Sequence, residues 1–100
     1  MSERALVNRT LRALRKLPDT HVVKNHGSIY SRRGEPDLYG CNAGTCFVIE
    51  LKDGRGVVSR AQILRLNQWH QSGARVGVAR SVESAISIAT GRTPWELIDL

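Results

Sequence analysis

Aromatic residues are scarce in this 100-residue sequence, where one Phe, two Trp and two Tyr amount to 5%. A core short of rings is built from Leu, Ile, Val and Ala, which favours thin layers over a large central barrel. Cysteine is scarcer still. Cys41 and Cys46 lack the Cys-x-x-Cys spacing and alone leave a zinc site two ligands short, so neither a structural zinc nor a disulfide is expected. No apolar segment of signal-peptide type follows Met1-Ser2-Glu3-Arg4, and no run approaches membrane-spanning length. The expectation is an intracellular, cytoplasmic protein with reduced thiols and no membrane partner. Acid is in deficit as well: 9 Asp and Glu face 15 Lys and Arg, a net charge of +6. A polyanion is the partner such a balance suggests, against the plainer reading of a merely basic surface. Twelve of the cations are Arg, whose planar fork meets phosphate oxygens in pairs, and this favours nucleic acid.

What is present is an ordinary globular balance, 41% hydrophobic and 24% charged residues, in a length that holds one domain over residues 1–100. Ser2 is placed to cap a helix in which Leu6, Val7, Thr10, Leu11, Leu14 and Leu17 recur at three- and four-residue steps until Pro18. The other side of that helix carries Arg4, Arg9, Arg12, Arg15 and Lys16, which fits either a solvated face or a track for a phosphate backbone. His21 to Lys24 reads as a strand running into a loop, and Pro36 to Tyr39 as a second, with a tight reversal in Gly40-Cys41-Asn42-Ala43-Gly44. Thr45 to Leu51, almost continuously apolar, reads as a central strand covered on both faces. Ser59 caps a helix that Gly73 ends; Arg75 to Ala79 is a strand; Ser81 opens a helix closed by Gly91; and Pro94 to Leu97 forms a last turn or short helix. The order is α-β-β-β-α-β-α, an α/β domain with a small mixed sheet.

The apolar strand ends in Glu50-Leu51-Lys52. Residues i and i+2 of a strand share a face, so the carboxylate and the ammonium project together from a segment too apolar for an ordinary wet surface. If the reversal centres between Asn42 and Ala43, Asp37 falls opposite Val48 and becomes a diagonal neighbour of Glu50, with Cβ atoms roughly 7–8 Å apart. Two carboxylates so close call for a proton or a cation between them, and Mg²⁺ or Mn²⁺ fits hard oxygen ligands. Beside a basic surface such a cluster suits phosphodiester hydrolysis. A strand-end ion pair, with Asp37 merely following Pro36 in a turn, explains the same spacing.

Gly34-Glu35-Pro36-Asp37-Leu38, then Glu50-Leu51-Lys52, Gly54, Gly56, Ser59 and Gln62, resemble the PD-(D/E)xK nuclease signature in the form found in VRR-NUC domains, the virus-type replication and repair nucleases. The resemblance extends from about Gly34 to Ser81. It implies a restriction-endonuclease-like fold and a Mg²⁺- or Mn²⁺-dependent endodeoxyribonuclease. It further implies that Asp37, Glu50 and the backbone carbonyl of Leu51 ligate the metal, with Glu3 completing the shell or serving only as a helix N-terminal charge. Lys52 would orient or activate the attacking water, and Gln62 would position water, metal or phosphate, unless it is a surface amide.

Arg32 and Arg33 are candidates to hold a phosphate, with Arg55, Arg4 and Arg12 as further DNA contacts; flexible basic loops explain the first two equally well. The turn at Asp53-Gly54-Arg55-Gly56 is expected to be structural. His21, His26 and His70 have no metal-ligand spacing, and Trp69 and Trp95 read as core or interface residues, with base stacking a further option. Similarity to stand-alone members of the family implies a phage-type enzyme acting in the bacterial host on branched DNA such as four-way (Holliday) junctions. The symmetry of a junction suits a homodimer. The alternatives are a non-catalytic basic DNA-binding adaptor on a nuclease scaffold, and a nuclease for RNA or single strands.

Overall fold

A computed structural model describes residues 1–27 and 33–96. Its elements follow the expected order: α1 (Glu3–Arg15), β1 (Thr20–Lys24), β2 (Leu38–Asn42), β3 (Thr45–Leu51), α2 (Arg60–Gln71), β4 (Arg75–Ala79) and α3 (Val82–Ala89). The Ser2 hydroxyl accepts from the Ala5 N–H at 3.1 Å, closing one of the donors that a helix start leaves open. Leu6, Val7, Thr10, Leu11 and Leu14 then bury one stripe of α1. Thr10 is fully buried in that stripe and its hydroxyl finds no partner among the described residues.

The four strands lie in the order β1-β2-β3-β4, antiparallel at the first two joins and parallel at the third. The parallel join is reached through α2, the crossover that a parallel pair requires. Alternation sends Phe47, Ile49 and Leu51 of β3 into a core shared with α1 and α3, while Val48 faces Leu66 of α2. Trp69 and Trp95 pack around that second cluster, the indole N–H of Trp95 donating to Asn67 at 3.0 Å. β3 is thus the interior strand its apolar run implies, buried from Phe47 to Leu51.

The β2 hairpin and the C-terminal segment differ from expectation. β2 occupies Leu38–Asn42 instead of 36–39, because the reversal is only two residues, Ala43 and Gly44, with φ of 49° and 86°. Both are left-handed, as in the hairpin turn that matches strand twist. The turn lies one residue later than expected, so each β3 partner moves by two: Leu38 faces Ile49 and Cys41 faces Cys46. Gly40 lies within the strand, where a side chain would collide with the His21 carbonyl. A shift of two preserves the face each side chain takes, whereas a shift of one would have reversed it. The two cysteines are free and exposed, their Sγ atoms 3.1 Å apart across the hairpin. Finally, Pro94, Trp95 and Glu96 form no helix, and Leu97 lies outside the described residues.

Candidate metal centre

β3 delivers Glu50 to the C-terminal end of the sheet, 2% exposed. Carrying the β2–β3 register one pair beyond Leu38 and Ile49 sets Asp37 directly against Glu50, so the diagonal pairing through Val48 gives way to a closer one. Asp37 is clamped at both ends. Its carbonyl accepts the Asn25 N–H at 2.7 Å, and its Oδ2 accepts the Leu51 N–H at 2.7 Å. The N–H and C=O of a strand residue point to the same edge, which leaves the Leu51 carbonyl on the side of Asp37. Glu3 arrives from the first turn of α1, and one oxygen each from Glu3, Asp37 and Glu50 lie within 4.8 Å of one another. Three elements distant in sequence thus place three carboxylates at one point.

The electrostatic cost of that arrangement falls on Glu50. Burial first, then the neighbouring Asp37 carboxylate and a hydrogen bond with it, push the Glu50 carboxyl up to about 8; Lys52 pulls it down and Glu3 adds slightly to the rise. Lys52 stands 3.6 Å from Glu50 Oε2, with its side chain 12% exposed. Sharing a face at i and i+2 brings the pair together as its spacing implies, but the ammonium does not outweigh burial and two acidic neighbours. An all-oxygen, hard donor set with an excess of negative charge fits a divalent ion of the Mg²⁺ or Mn²⁺ class rather than a soft metal. His21, His26 and His70 are not part of the group.

Gln62 is no surface amide. At the third position of α2 its Oε1 accepts the Ser59 N–H at 2.9 Å while the Ser59 hydroxyl accepts the Gln62 N–H at 3.1 Å, a reciprocal cap. With its oxygen so engaged, its Nε2 donates to Glu50 Oε2 at 2.8 Å. The cap therefore aims the amide, and the amide holds one carboxylate oxygen. Gly34 allows this approach: with φ of 85°, a Cβ there would lie 2.5 Å from the Ala61 carbonyl carbon and 2.8 Å from the Gln62 nitrogen. No side chain fits between that loop and the first turn of α2.

Among the described residues, Arg33, Arg55, Arg4 and Arg12 form no ion pair with the three carboxylates. Arg33 is exposed and offers its carbonyl to Arg65 Nε at 3.1 Å; Arg32 lies outside the described residues. Arg55 is exposed in a turn organised by Asp53, whose Oδ1 accepts the N–H groups of Arg55 and Gly56 at 3.0 and 2.8 Å. Those two bonds hold the Asp53 carboxyl below the usual range. Arg4 and Arg12 are both exposed on α1, but Arg12 lines a groove that Arg4 does not. Two arginines that sequence reasoning passed over are structural clamps. Arg65 also meets Glu35 at 3.6 Å, and Arg80 donates to the Asp53 and Gly56 carbonyls at 2.7 and 2.8 Å. Nothing in a local pattern announces either one, since both act across more than twenty residues of chain.

No family model matches the chain, and no curated protein does. Two solved structures are similar in fold. One, described as a VRR_NUC domain, superposes with a TM-score of 0.70 at 22% identity over 88% of this chain and 94% of its own. The other, a VRR_NUC domain protein, gives a TM-score of 0.74 at 16% identity over 98% of this chain and 95% of its own. The chain has the fold of the VRR-NUC domain.

Proposed function

We propose that this protein is a VRR-NUC nuclease of the PD-(D/E)xK type, a divalent-metal-dependent endonuclease that hydrolyses phosphodiester bonds in DNA and prefers branched substrates. The observation that carries the reading is the meeting of Glu3, Asp37 and Glu50 within 4.8 Å, beside Lys52 and Gln62. Glu3, Asp37 and Glu50 would hold Mg²⁺ or Mn²⁺, with the Leu51 carbonyl as a further ligand. When bound, such an ion polarises a phosphoryl oxygen and acidifies a coordinated water.

The residues of the chain supply the rest. The Leu51 N–H holds one oxygen of Asp37 in place. Gln62 holds one Glu50 oxygen and acts as a positioning residue through it. Lys52, tethered 3.6 Å from Glu50, brings a positive charge to the rim of the cluster, where it stabilises the negative charge that builds on a phosphoryl group under attack and orients the water that attacks. Gly56 keeps the lysine stem in place, since a Cβ there would sit 3.1 Å from Lys52 Cδ.

The branched-substrate preference is what the resemblance to the family implies, and a symmetric dimer would suit such a substrate. A four-way junction presents equivalent strands, the described residues of one chain hold one carboxylate cluster, and a two-fold dimer would present two. The test is a panel of labelled junction, flap, linear duplex, single-stranded DNA and RNA with Mg²⁺, Mn²⁺ or EDTA, for wild type and Lys52→Ala. Metal-dependent cutting with the junction preferred, and a loss on the order of 10²–10³-fold for Lys52→Ala, is the expected result. Retention without cutting would favour a DNA-binding adaptor, and a preference for RNA or single strands would replace the substrate assignment. Paired cuts, together with a solution mass of two chains, would bear on the dimer.

A further inference from the structure

A groove of about 630 Å³ runs between α1 and the segment that follows Lys52. One wall is α1, contributing Arg9, Arg12 and Lys16; the other is the segment after Lys52 with the end of β4, contributing Asp53, Gly54 and Arg80. Both walls grow directly out of the site, since α1 starts at Glu3 and Asp53 follows Lys52. Arg9, Arg12 and Lys16 stand at i, i+3 and i+7, which places them along one side of the helix. They span about 10 Å of axis, the rise of about three nucleotide steps along one strand of a duplex.

Their surroundings leave that charge available. All three are exposed, and none is in an ion pair among the described residues. The groove lining carries two acids, Asp53 and Glu83, against four side-chain cations, so positive charge remains in excess. Asp53 is engaged by two backbone N–H groups, and Glu83 lies in the first turn of α3, where a helix start already favours a negative charge. Arg80, while holding the Asp53 and Gly56 carbonyls, fixes the opposite wall and adds a further cation to it. The face therefore carries an excess of positive charge, and its lining residues Met1 and Asp53 are close neighbours in sequence of Glu3 and Lys52.

We propose that this groove is the track for the nucleic-acid strand that flanks the scissile phosphate, with Arg9, Arg12 and Lys16 each meeting a backbone phosphate. The inference rests on the nuclease reading and gives it a direction: the strand leaves the metal centre along α1, toward the C-terminal end of the helix. The contacts are to the backbone, so they contribute affinity and register rather than base preference.

The experiment is fluorescence anisotropy of a labelled DNA fork in EDTA, across a series of salt concentrations. It compares wild type, the triple variant Arg9→Ala/Arg12→Ala/Lys16→Ala, and the variant Arg15→Ala/Arg92→Ala, which removes exposed charges that do not line the groove. The triple variant is expected to bind roughly 10- to 100-fold more weakly at moderate salt, with its log–log salt slope shallower by about two to three. The second variant should stay within about threefold of wild type. Circular dichroism checks that α1 survives, and Arg12→Glu alone should weaken binding in the same direction. A triple variant with the affinity and slope of wild type overturns the track, as does an equal loss in the second variant, which would mean diffuse attraction. Cutting by wild type in Mn²⁺ is read separately. If wild type cuts while the triple variant binds unchanged, the track fails and the nuclease reading stands. If wild type binds through these residues but does not cut, the nuclease reading fails and the groove remains a DNA site; a wild type that retains no DNA overturns the track too.

Discussion

Glu50→Gln is expected to lower DNA cleavage by on the order of 10³-fold or more while making the metal-free protein more stable at alkaline pH. The two effects have one cause. The carboxylate that the proposed reaction would use as a ligand is one that folding disfavours, 2% exposed and beside two other acids. Removing its charge removes a ligand from the metal and with it the positioning of water and phosphate. An amide of the same shape presents no charge to desolvate, and it keeps a hydrogen-bonding group beside Asp37 and Gln62. At pH 9 the melting temperature of the variant should exceed that of wild type by roughly 10 °C, given that 1 kcal/mol moves a domain of this size by about 4–8 °C. At pH 5, where Glu50 is protonated in wild type, the gap should nearly close. Scanning calorimetry at the two pH values, beside single-turnover cleavage, reads both. A variant that cuts like wild type removes Glu50 from the reaction.

The second large effect is the pH dependence of wild type itself. The Glu50 carboxyl stands at about 8 in the folded protein against an ordinary 4.5. Between those values the folded chain holds a proton that the unfolded chain has released, so stability is fully present below about 4.5 and falls as pH rises to about 8. The melting temperature of metal-free protein should drop by about 5–15 °C over that window. If the cluster holds Mg²⁺ or Mn²⁺ as proposed, a saturating concentration would do the work of the proton, so the slope should flatten and the stabilisation by metal should grow with pH. Titration calorimetry in buffers of different ionisation heat should record proton release on metal binding near pH 7. A metal-free protein whose stability does not fall between pH 5 and 8, or a metal effect independent of pH, contradicts the assigned burial and clustering of Glu50.

Much of this site is legible in the sequence, and for definite reasons. The run from Thr45 to Leu51 is too apolar to be anything but an interior strand, so the charges at its end are conspicuous. Their i, i+2 spacing puts Glu50 and Lys52 on one face whatever the surroundings. The side taken by Asp37 was right despite a misplaced turn, because the shift was two residues and strands alternate with a period of two. The misplacement came from Ala43: an alanine with φ of 49° is not a residue that announces a left-handed turn, whereas the following glycine is. The β2 boundary and the facing of Cys41 and Cys46 followed from the same missed turn. Glu3 was visible only through the family resemblance, since its approach depends on how α1 packs across the sheet. The double engagement of Gln62 was hidden for a similar reason. Ser59 and Gln62 show the spacing of a capping box, but nothing local reveals that the amide also reaches Glu50. Arg65 and Arg80, which clamp loops from across the fold, left no trace in local pattern at all.

The claim on which the rest depends is that Glu3, Asp37 and Glu50 share one divalent cation. Crystals grown with manganese test it directly by anomalous diffraction. The expected map has its strongest peak among these three carboxylates, at ligand distance from Asp37 and Glu50, and that peak disappears in Glu50→Gln. A fully manganese-saturated crystal with the carboxylates in place and no peak among them, or with its peak elsewhere on the chain, would contradict it.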